Sequence, residues 1–200
     1  ARYYHRSLNP KKLVKVGFSR MSPRMTMARM IKLYKVAEKP ASNLQEMKSE
    51  HVDGVTKLLG TYLEKYALRV KFTPEEIAHW LLPRKGVINS YVVVNGDNEV
   101  TDFCSFYHLP STILGEDDTL YAAYSYYNVA TSMPLLDLMR DALVMANKNG
   151  SDVFNALNLM ENSVFLDELK FGKGDGNLQY YIYNWSCATM EPTDVGIVLL

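Results

Sequence analysis

The sequence predicts an α/β fold of the mixed-sheet, α+β kind, and three observations carry that expectation. Ser49–Tyr66 and the stretch after Pro134 repeat apolar residues at three- and four-residue spacing, the period of a helix with one buried face. Around them lie β-branched and aromatic runs of strand length, two of which are joined by Asn95-Gly96-Asp97-Asn98, residues that tolerate positive φ and suit a hairpin. The resulting order, β, α, α, β, β, β, α, β, α, β, β, mixes antiparallel neighbours with parallel crossovers.

Residues 1–25 carry breakers and cations (Asn9-Pro10-Lys11-Lys12, Gly17, Ser22-Pro23-Arg24) and read as extended linking segments around Leu13 and Phe18. Arg29–Val36 mixes apolar residues with Lys32 and Lys35 and reads as an edge strand, where lysine discourages strand addition. The first helix gathers Val52, Val55, Leu58, Leu59, Tyr62, Leu63 and Tyr66 on one stripe. A second begins at Thr73-Pro74-Glu75-Glu76, with Thr73 as cap, Pro74 in the first turn and Glu76 at the capping-box position. Ile77, Trp80 and Leu81 form its inner face, and Pro83 ends it.

Val87–Val94 and Val100–Leu109 are the hairpin strands. In the second, Phe103, Ser105 and Tyr107 alternate with Cys104, Phe106 and His108, so neither face is plainly solvated and the strand should be central. Pro110-Ser111-Thr112 should break it, and Ala122–Ala130 gives a tyrosine-dense strand. After Pro134, Leu135, Leu138, Met139, Ala142, Leu143 and Ala146 face inward on a helix that Gly150 stops. Asp152–Leu159 reads as a short strand, Asn162 caps a helix through Phe165, Leu166 and Leu169, and Leu178–Trp185 reads as an aromatic strand.

The last residues are apolar. Asp194-Val195-Gly196-Ile197-Val198-Leu199-Leu200 reads as a buried final strand. Such a strand either completes a sheet or carries its α-carboxylate to a fixed place near the core, where that carboxylate is a candidate functional group.

Composition sets bounds. Lys plus Arg equals Asp plus Glu at 22 each among 200 residues, which gives no electrostatic case for nucleic acid or a membrane surface. The 48% hydrophobic content suits one domain with a sizeable core, or one half of a pseudo-symmetric pair. Two cysteines, Cys104 and Cys187, the lack of an apolar run near membrane-spanning length and the lack of a signal-peptide pattern favour the cytosol. The opening Ala1-Arg2-Tyr3-Tyr4-His5 lacks an initiator Met, as a piece of a longer polypeptide would.

Few stretches carry chemistry by themselves. Lys170-Phe171-Gly172-Lys173-Gly174-Asp175-Gly176 permits close backbone approach. It reads either as a helix-stop turn with a solvated Asp175 or as a rigid loop presenting Asp175 to a cationic substrate group. It is neither a dinucleotide fingerprint nor a Walker loop. His5, His51, His79 and His108 show no metal-ligand spacing, Cys104 reads as inert core, and Ser111 near His108 does not make a hydrolase. The 14 tyrosines read as core or as the lining of a peptide groove, and Lys11, Lys12 and Lys15 read as a solvated basic patch.

The element order resembles the GNAT superfamily of CoA-dependent N-acyltransferases, although no Arg/Gln-x-x-Gly-x-Gly/Ala pyrophosphate loop stands at a strand-to-helix junction. Several motifs in register are more specific. Lys170–Gly176, Tyr4-His5-Arg6-Ser7-Leu8-Asn9-Pro10-Lys11-Lys12-Leu13, Val16-Gly17-Phe18, Thr101-Asp102-Phe103, Leu109-Pro110-Ser111-Thr112, Ala122-Ala123-Tyr124, Asp152-Val153-Phe154-Asn155 and the Gly196–Leu200 ending resemble the C-terminal half of the eukaryotic glycylpeptide N-myristoyltransferase family.

That resemblance implies a GNAT-like half of a pseudo-two-fold pair, with residues 1–30 as a segment entering the domain and 31–200 as the C-terminal, peptide-binding half. It implies a cytoplasmic enzyme, a monomer when complete, that transfers myristate from myristoyl-CoA to the N-terminal glycine of peptides and proteins. No metal or tightly bound cofactor is implied, and most of the myristoyl-CoA site and the oxyanion hole belong to an N-terminal half. It makes the Leu200 carboxylate the general base, places Asn155 and Tyr124 near the start of the peptide and Asp175 and Gly176 further along it, and lines the groove with Tyr3, His5, Phe18, Tyr107, Ser111, Leu120 and Leu178. Two rival readings are a generic CoA-dependent N-acetyltransferase and a non-catalytic peptide-binding module.

Overall fold

A computed structural model describes residues 1–115 and 118–199. In chain order the elements are β1 (Arg2–Ser7), α1 (Pro10–Lys15), α2 (Met27–Tyr34), β2 (Gln45–Glu46), a 3₁₀ turn Ser49–His51 leading into α3 (Val52–Leu63), β3 (Leu68–Arg69) and α4 (Pro74–Leu81). There follow β4 (Ile88–Val94), β5 (Val100–Thr112), β6 (Thr119–Ala130), α5 (Leu135–Lys148), β7 (Val153–Leu157), α6 (Ser163–Leu166), β8 (Gly172–Asn177), a 3₁₀ turn Pro192–Asp194 and β9 (Val195–Gly196).

Seven strands form one sheet in the order β2-β4-β5-β6-β7-β1-β8. Its pairings are antiparallel except for β6–β7, the parallel pair that the α5 crossover joins. β3 and β9 form a separate parallel pair. On one face of the sheet Val55, Leu59 and Leu63 of α3 and Ile77 and Leu81 of α4 bury against Phe103, Tyr107, Tyr127 and Val129, and Val195 and Val198 join that layer. On the other, Leu138, Met139, Ala142, Leu143 and Ala146 of α5 and Phe165 and Leu166 of α6 cover Cys104, Phe106, Ala123 and Phe154. Each fully buried side chain of this kind contributes about 1.5–3 kcal/mol. The mixed α/β sheet predicted by hydrophobic period is therefore observed, with a helical layer on either side.

Several element assignments are corrected. Residues 2–7, read as linking, are an interior strand, and the breakers after them start a helix. Asn9 caps α1 by accepting from the Lys12 amide at 3.3 Å, and Pro10 occupies its first turn. Arg29–Val36 is not an edge strand but most of α2, whose N-cap Thr26 accepts from the Arg29 amide. The capping box at Thr73 and Glu76 forms, but Trp80 stays exposed and only Ile77 and Leu81 face inward. Asn162 does not cap by its side chain; its Nδ2 donates to the Leu157 carbonyl at 2.8 Å.

Pro110 does not break β5. The His108 amide donates to the Val87 carbonyl on the β4 side, and Pro110, two residues on, turns its missing N–H to that same side. β4 has no partner residue there, so no ladder bond is lost, while Pro110 still pairs with Tyr121 of β6. Leu178–Trp185 forms no strand; Tyr181 and Tyr183 are 88% and 90% exposed. The expected final strand is reduced to Val195–Gly196. Lys12 is not solvated: its ammonium lies 2.7 Å from the Asp152 carboxylate, which also accepts from Asn9 Nδ2 and the Tyr121 amide.

Candidate functional site

Strand register builds the site. Tyr107 of β5 stands opposite Tyr124 of β6, Tyr124 opposite Asn155 of β7, Asn155 opposite His5 of β1, and His5 opposite Gly172 of β8. Directly paired residues share a sheet face, so four of the residues singled out from sequence form a single row across the sheet. Tyr107 and Tyr124 stack with centroids 5.3 Å apart, and Tyr3 meets Tyr124 edge-on at 6.3 Å. The His5 Nδ1 lies 2.6 Å from the Asn155 Oδ1. Because an amide oxygen only accepts, Nδ1 is the donor of this contact.

The sheet opens at this row. β6 and β7 pair at Ala122–Val153, Ala123–Phe154 and Tyr124–Asn155. Beyond that rung β6 continues against β5 alone and β7 against β1 alone. Tyr124 and Asn155 therefore stand at the mouth of a gap between parallel strands, where backbone groups no longer meet each other.

The glycine-rich motif is an edge strand, neither a helix-stop turn nor a loop. The turn that follows α6 ends at Lys170, which holds φ 62°. Gly174 and Gly176 make room for β1: a Cβ on Gly174 would lie 2.8 Å from the His5 Cδ2 and 3.0 Å from the Tyr3 carbonyl oxygen, and one on Gly176 would lie 3.3 Å from the Tyr3 Cδ2. These glycines admit the chain's own side chains. Asp175 between them is exposed, and strand alternation sends its side chain from the opposite side of the backbone.

Phe18, reached through α1, packs edge-on to His5 at 5.4 Å. Leu178 packs into the same apolar layer as Tyr3 and Tyr124. Ser111 and Leu120 pair at the far end of the β5–β6 hairpin, four residues and so about 13 Å from the Tyr107–Tyr124 rung. There Leu120 packs with Leu13, Ala122 and Val153, and Ser111 is exposed. The predicted residues thus divide into a tight group, Tyr3, His5, Phe18, Tyr107, Tyr124, Asn155, Gly176 and Leu178, the distant pair Ser111 and Leu120, and Asp175, exposed on the edge strand β8. Leu200 lies outside the described residues.

The approach to Leu200 is described, and it rests on three tyrosines, of which sequence reasoning singled out Tyr107 but not Tyr127 or Tyr180. Tyr127 Oη donates to the Gly196 carbonyl at 3.5 Å and accepts from the Val198 amide at 3.3 Å. Tyr180 Oη donates to the Ile197 carbonyl at 2.7 Å, and Tyr107 Oη to the Leu199 carbonyl at 3.3 Å. Burial pushes the Tyr127 and Tyr180 phenols up to about 12 and raises that of Tyr107 as well, so all three remain neutral donors at physiological pH. Gly196 is seated against Tyr66 and Leu63, where a Cβ would come within 3.0–3.2 Å of their side chains. The signal that could have found them was the requirement that buried phenols have partners. Among the described residues no group of three or more His, Cys, Asp or Glu is placed to hold a metal ion, and no helix is long and apolar enough to cross a membrane.

Comparison with known proteins gives this arrangement a family. Residues 15–198 match the model of "Myristoyl-CoA:protein N-myristoyltransferase, C-terminal domain". A probable glycylpeptide N-tetradecanoyltransferase of Caenorhabditis elegans is 56% identical over 202 residues, covering 99% of this chain and 45% of the relative. The chain therefore spans about half the length of the relatives it matches. The crystal structure of Saccharomyces cerevisiae N-myristoyltransferase with bound myristoyl-CoA superposes with a TM-score of 0.83 at 36% identity, over 88% of this chain and 45% of that one. A Trypanosoma brucei acetyltransferase, 15% identical with a TM-score of 0.51 over 70% of this chain and 99% of its own, shares the fold alone. On the family match across nearly its whole length, the chain belongs to the family of N-myristoyltransferase C-terminal domains.

Proposed function

We propose that this chain is the peptide-binding half of a protein N-myristoyltransferase, moving myristate from myristoyl-CoA to the α-amine of an N-terminal glycine. The observation that carries the reading is the convergence of the Tyr107–Tyr124–Asn155–His5 row, the gap that opens at its Tyr124–Asn155 rung, and the Leu199 carbonyl that Tyr107 holds at the other end of the row. The substrate peptide lies along this face, its first residues near Asn155 and Tyr124 and its later ones towards Asp175, Gly176 and Leu178. Glycine is selected because the first position leaves no room for a Cβ.

The chemistry needs a base. An N-terminal ammonium has a reference pKa of about 7.7–8.0 and cannot attack a thioester until it loses a proton. The Leu200 α-carboxylate takes that proton; in water the reference pKa of about 3.3–3.7 makes such a group a weak base, and removal from water raises it. The freed amine nitrogen then bonds to the thioester carbonyl carbon, the carbon–sulfur bond breaks, and the CoA thiolate leaves, taking up the second proton that the nitrogen sheds as it becomes an amide. Most of the acyl-CoA site and the backbone donors for the oxyanion belong to an N-terminal half. No metal or resident cofactor takes part, and the whole enzyme acts as a cytoplasmic monomer.

Labelled myristoyl-CoA and a glycine-starting peptide, incubated with this chain alone and with the full-length polypeptide, test the division of labour. Transfer is expected only in the second case. Transfer by the 200 residues alone would overturn it. Extending the chain by one residue beyond Leu200 displaces the carboxylate and should abolish the chemical step with folding intact; unchanged turnover would remove Leu200 from the role.

A further inference from the structure

We propose that Tyr107, Tyr127 and Tyr180 are positioning residues whose hydroxyls grip the backbone of residues 196–199 and thereby set where the following α-carboxylate stands. The inference rests on the reading of that carboxylate as the base.

After Gly196 the tail has no strand partner among the described residues. The backbone groups that a neighbouring strand would have met are met by phenols instead. Tyr127 takes both roles at once, donating to the Gly196 carbonyl and accepting from the Val198 amide, which a hydroxyl can do and a phenyl ring cannot. Tyr180 makes the short bond, 2.7 Å to the Ile197 carbonyl, and the Tyr107 bond to Leu199 is the last among the described residues.

The three phenols reach the tail from separate parts of the fold: β5, β6 and the segment after β8. Two of them stand on firm ground. Tyr127 is fully buried and meets Phe72 edge-on at 5.4 Å, and Tyr107 is stacked on Tyr124. The Tyr107 ring therefore belongs both to the peptide-facing row and to the tail's anchorage, so the place of the chain end is referred directly to the place of the peptide. Leu199, half exposed at 50%, gains little hold from burial of its own side chain; its backbone bond fixes it.

Position matters because proton transfer requires hydrogen-bond reach, and a displacement of about 1 Å can cost about a hundredfold in rate. Raised phenol pKa values keep the grip unchanged through the neutral range, so the pH dependence of turnover reports the acid and base themselves. None of the three phenols need touch the reacting atoms.

The test uses the full-length polypeptide carrying Tyr107→Phe, Tyr127→Phe or Tyr180→Phe, with Tyr91→Phe as control, since the Tyr91 hydroxyl accepts from Asn149 on the opposite face of the sheet. Single-turnover acyl transfer should fall by about tenfold to a hundredfold in the three variants. The KM of a glycine-starting peptide should stay within about twofold for Tyr127→Phe and Tyr180→Phe, and the acidic limb of the pH–rate profile should move to lower pH as the loosened carboxylate becomes better solvated. A merely structural role would lower the yield of active protein and leave KM and the profile in place.

Rates and profiles matching Tyr91→Phe would overturn the inference while leaving the base assignment intact. Full turnover by the chain extended beyond Leu200 would remove the base assignment and this inference with it. Should Tyr127→Phe fail to fold, Tyr180→Phe decides, because its ring stands on a segment outside the sheet.

Discussion

Asn155 and His5 face each other in the β7–β1 register, and their side chains close a 2.6 Å bond between Oδ1 and Nδ1. Asn155 is buried, so its amide has exchanged water for this contact. Replacing Asn155 with Ala leaves the imidazole N–H without its acceptor and should cost about 1–3 kcal/mol, read as a lower denaturant midpoint at unchanged slope. The His5 ring resonances should shift in the same variant.

Two glycines should respond in opposite directions to the same change. Gly174→Ala forces the His5 ring off its seat, because the other close atom is the Tyr3 carbonyl oxygen in the middle of a paired strand; a loss of about 1–3 kcal/mol is expected. Gly60→Ala, inside α3 with nothing within 4 Å of the new Cβ, should gain about 0.5–1 kcal/mol. Thermal unfolding of both variants beside the wild type checks the pair of signs.

His108 predicts an acid sensitivity. Burial lowers its pKa from the ordinary 6.5, so the folded protein binds the proton less well than the unfolded chain. Its contribution to stability is complete above about pH 6.5 and is lost as the pH falls through the lower folded value. A His108→Gln variant should show a flatter stability–pH curve in that window, measured by urea unfolding at a series of pH values. An unchanged slope would contradict the assignment.

Asp152 holds three donors: Lys12 Nζ, Asn9 Nδ2 and the Tyr121 amide. Asp152→Ala should loosen α1 from the β6–β7 edge and cost about 1.5–3 kcal/mol, the range for hydrogen bonds to charged groups. Protection of the Lys12 and Leu13 amides in hydrogen exchange should fall before that of α5.

Much of this architecture was legible in the sequence, and the failures share a physical cause. α3, α4, α5 and the β4–β5 hairpin declare themselves through local periodicity and capping, and they stand where the sequence placed them. β1 and β8 were missed because each is a strand only by virtue of a distant partner, residues 2–7 against 153–157 and 172–177. The aromatic alternation of 178–185 was misread for the converse reason, a strand-like pattern with no strand beside it. At the site, motif resemblance named Tyr107, Tyr124, Asn155 and His5, but their alignment in one row follows from register, which no local signal contains. Tyr127 and Tyr180 escaped because their partners are carbonyls about 70 and 17 residues away.

The placement of β1 bears on how the protein assembles. The first strand in the chain lies between β7 and β8, whose residues come some 150 positions later. Until Val153–Asn177 has been made and folded, β1 has no edge to join; until β1 arrives, β7 and β8 have no common neighbour. Pairing across such a separation closes a long loop before any contact rewards it, and it slows folding. His5 is thus made well before the strands that seat it, and the row that reaches from Tyr107 to β8 becomes continuous only when β1 has met β7 and β8.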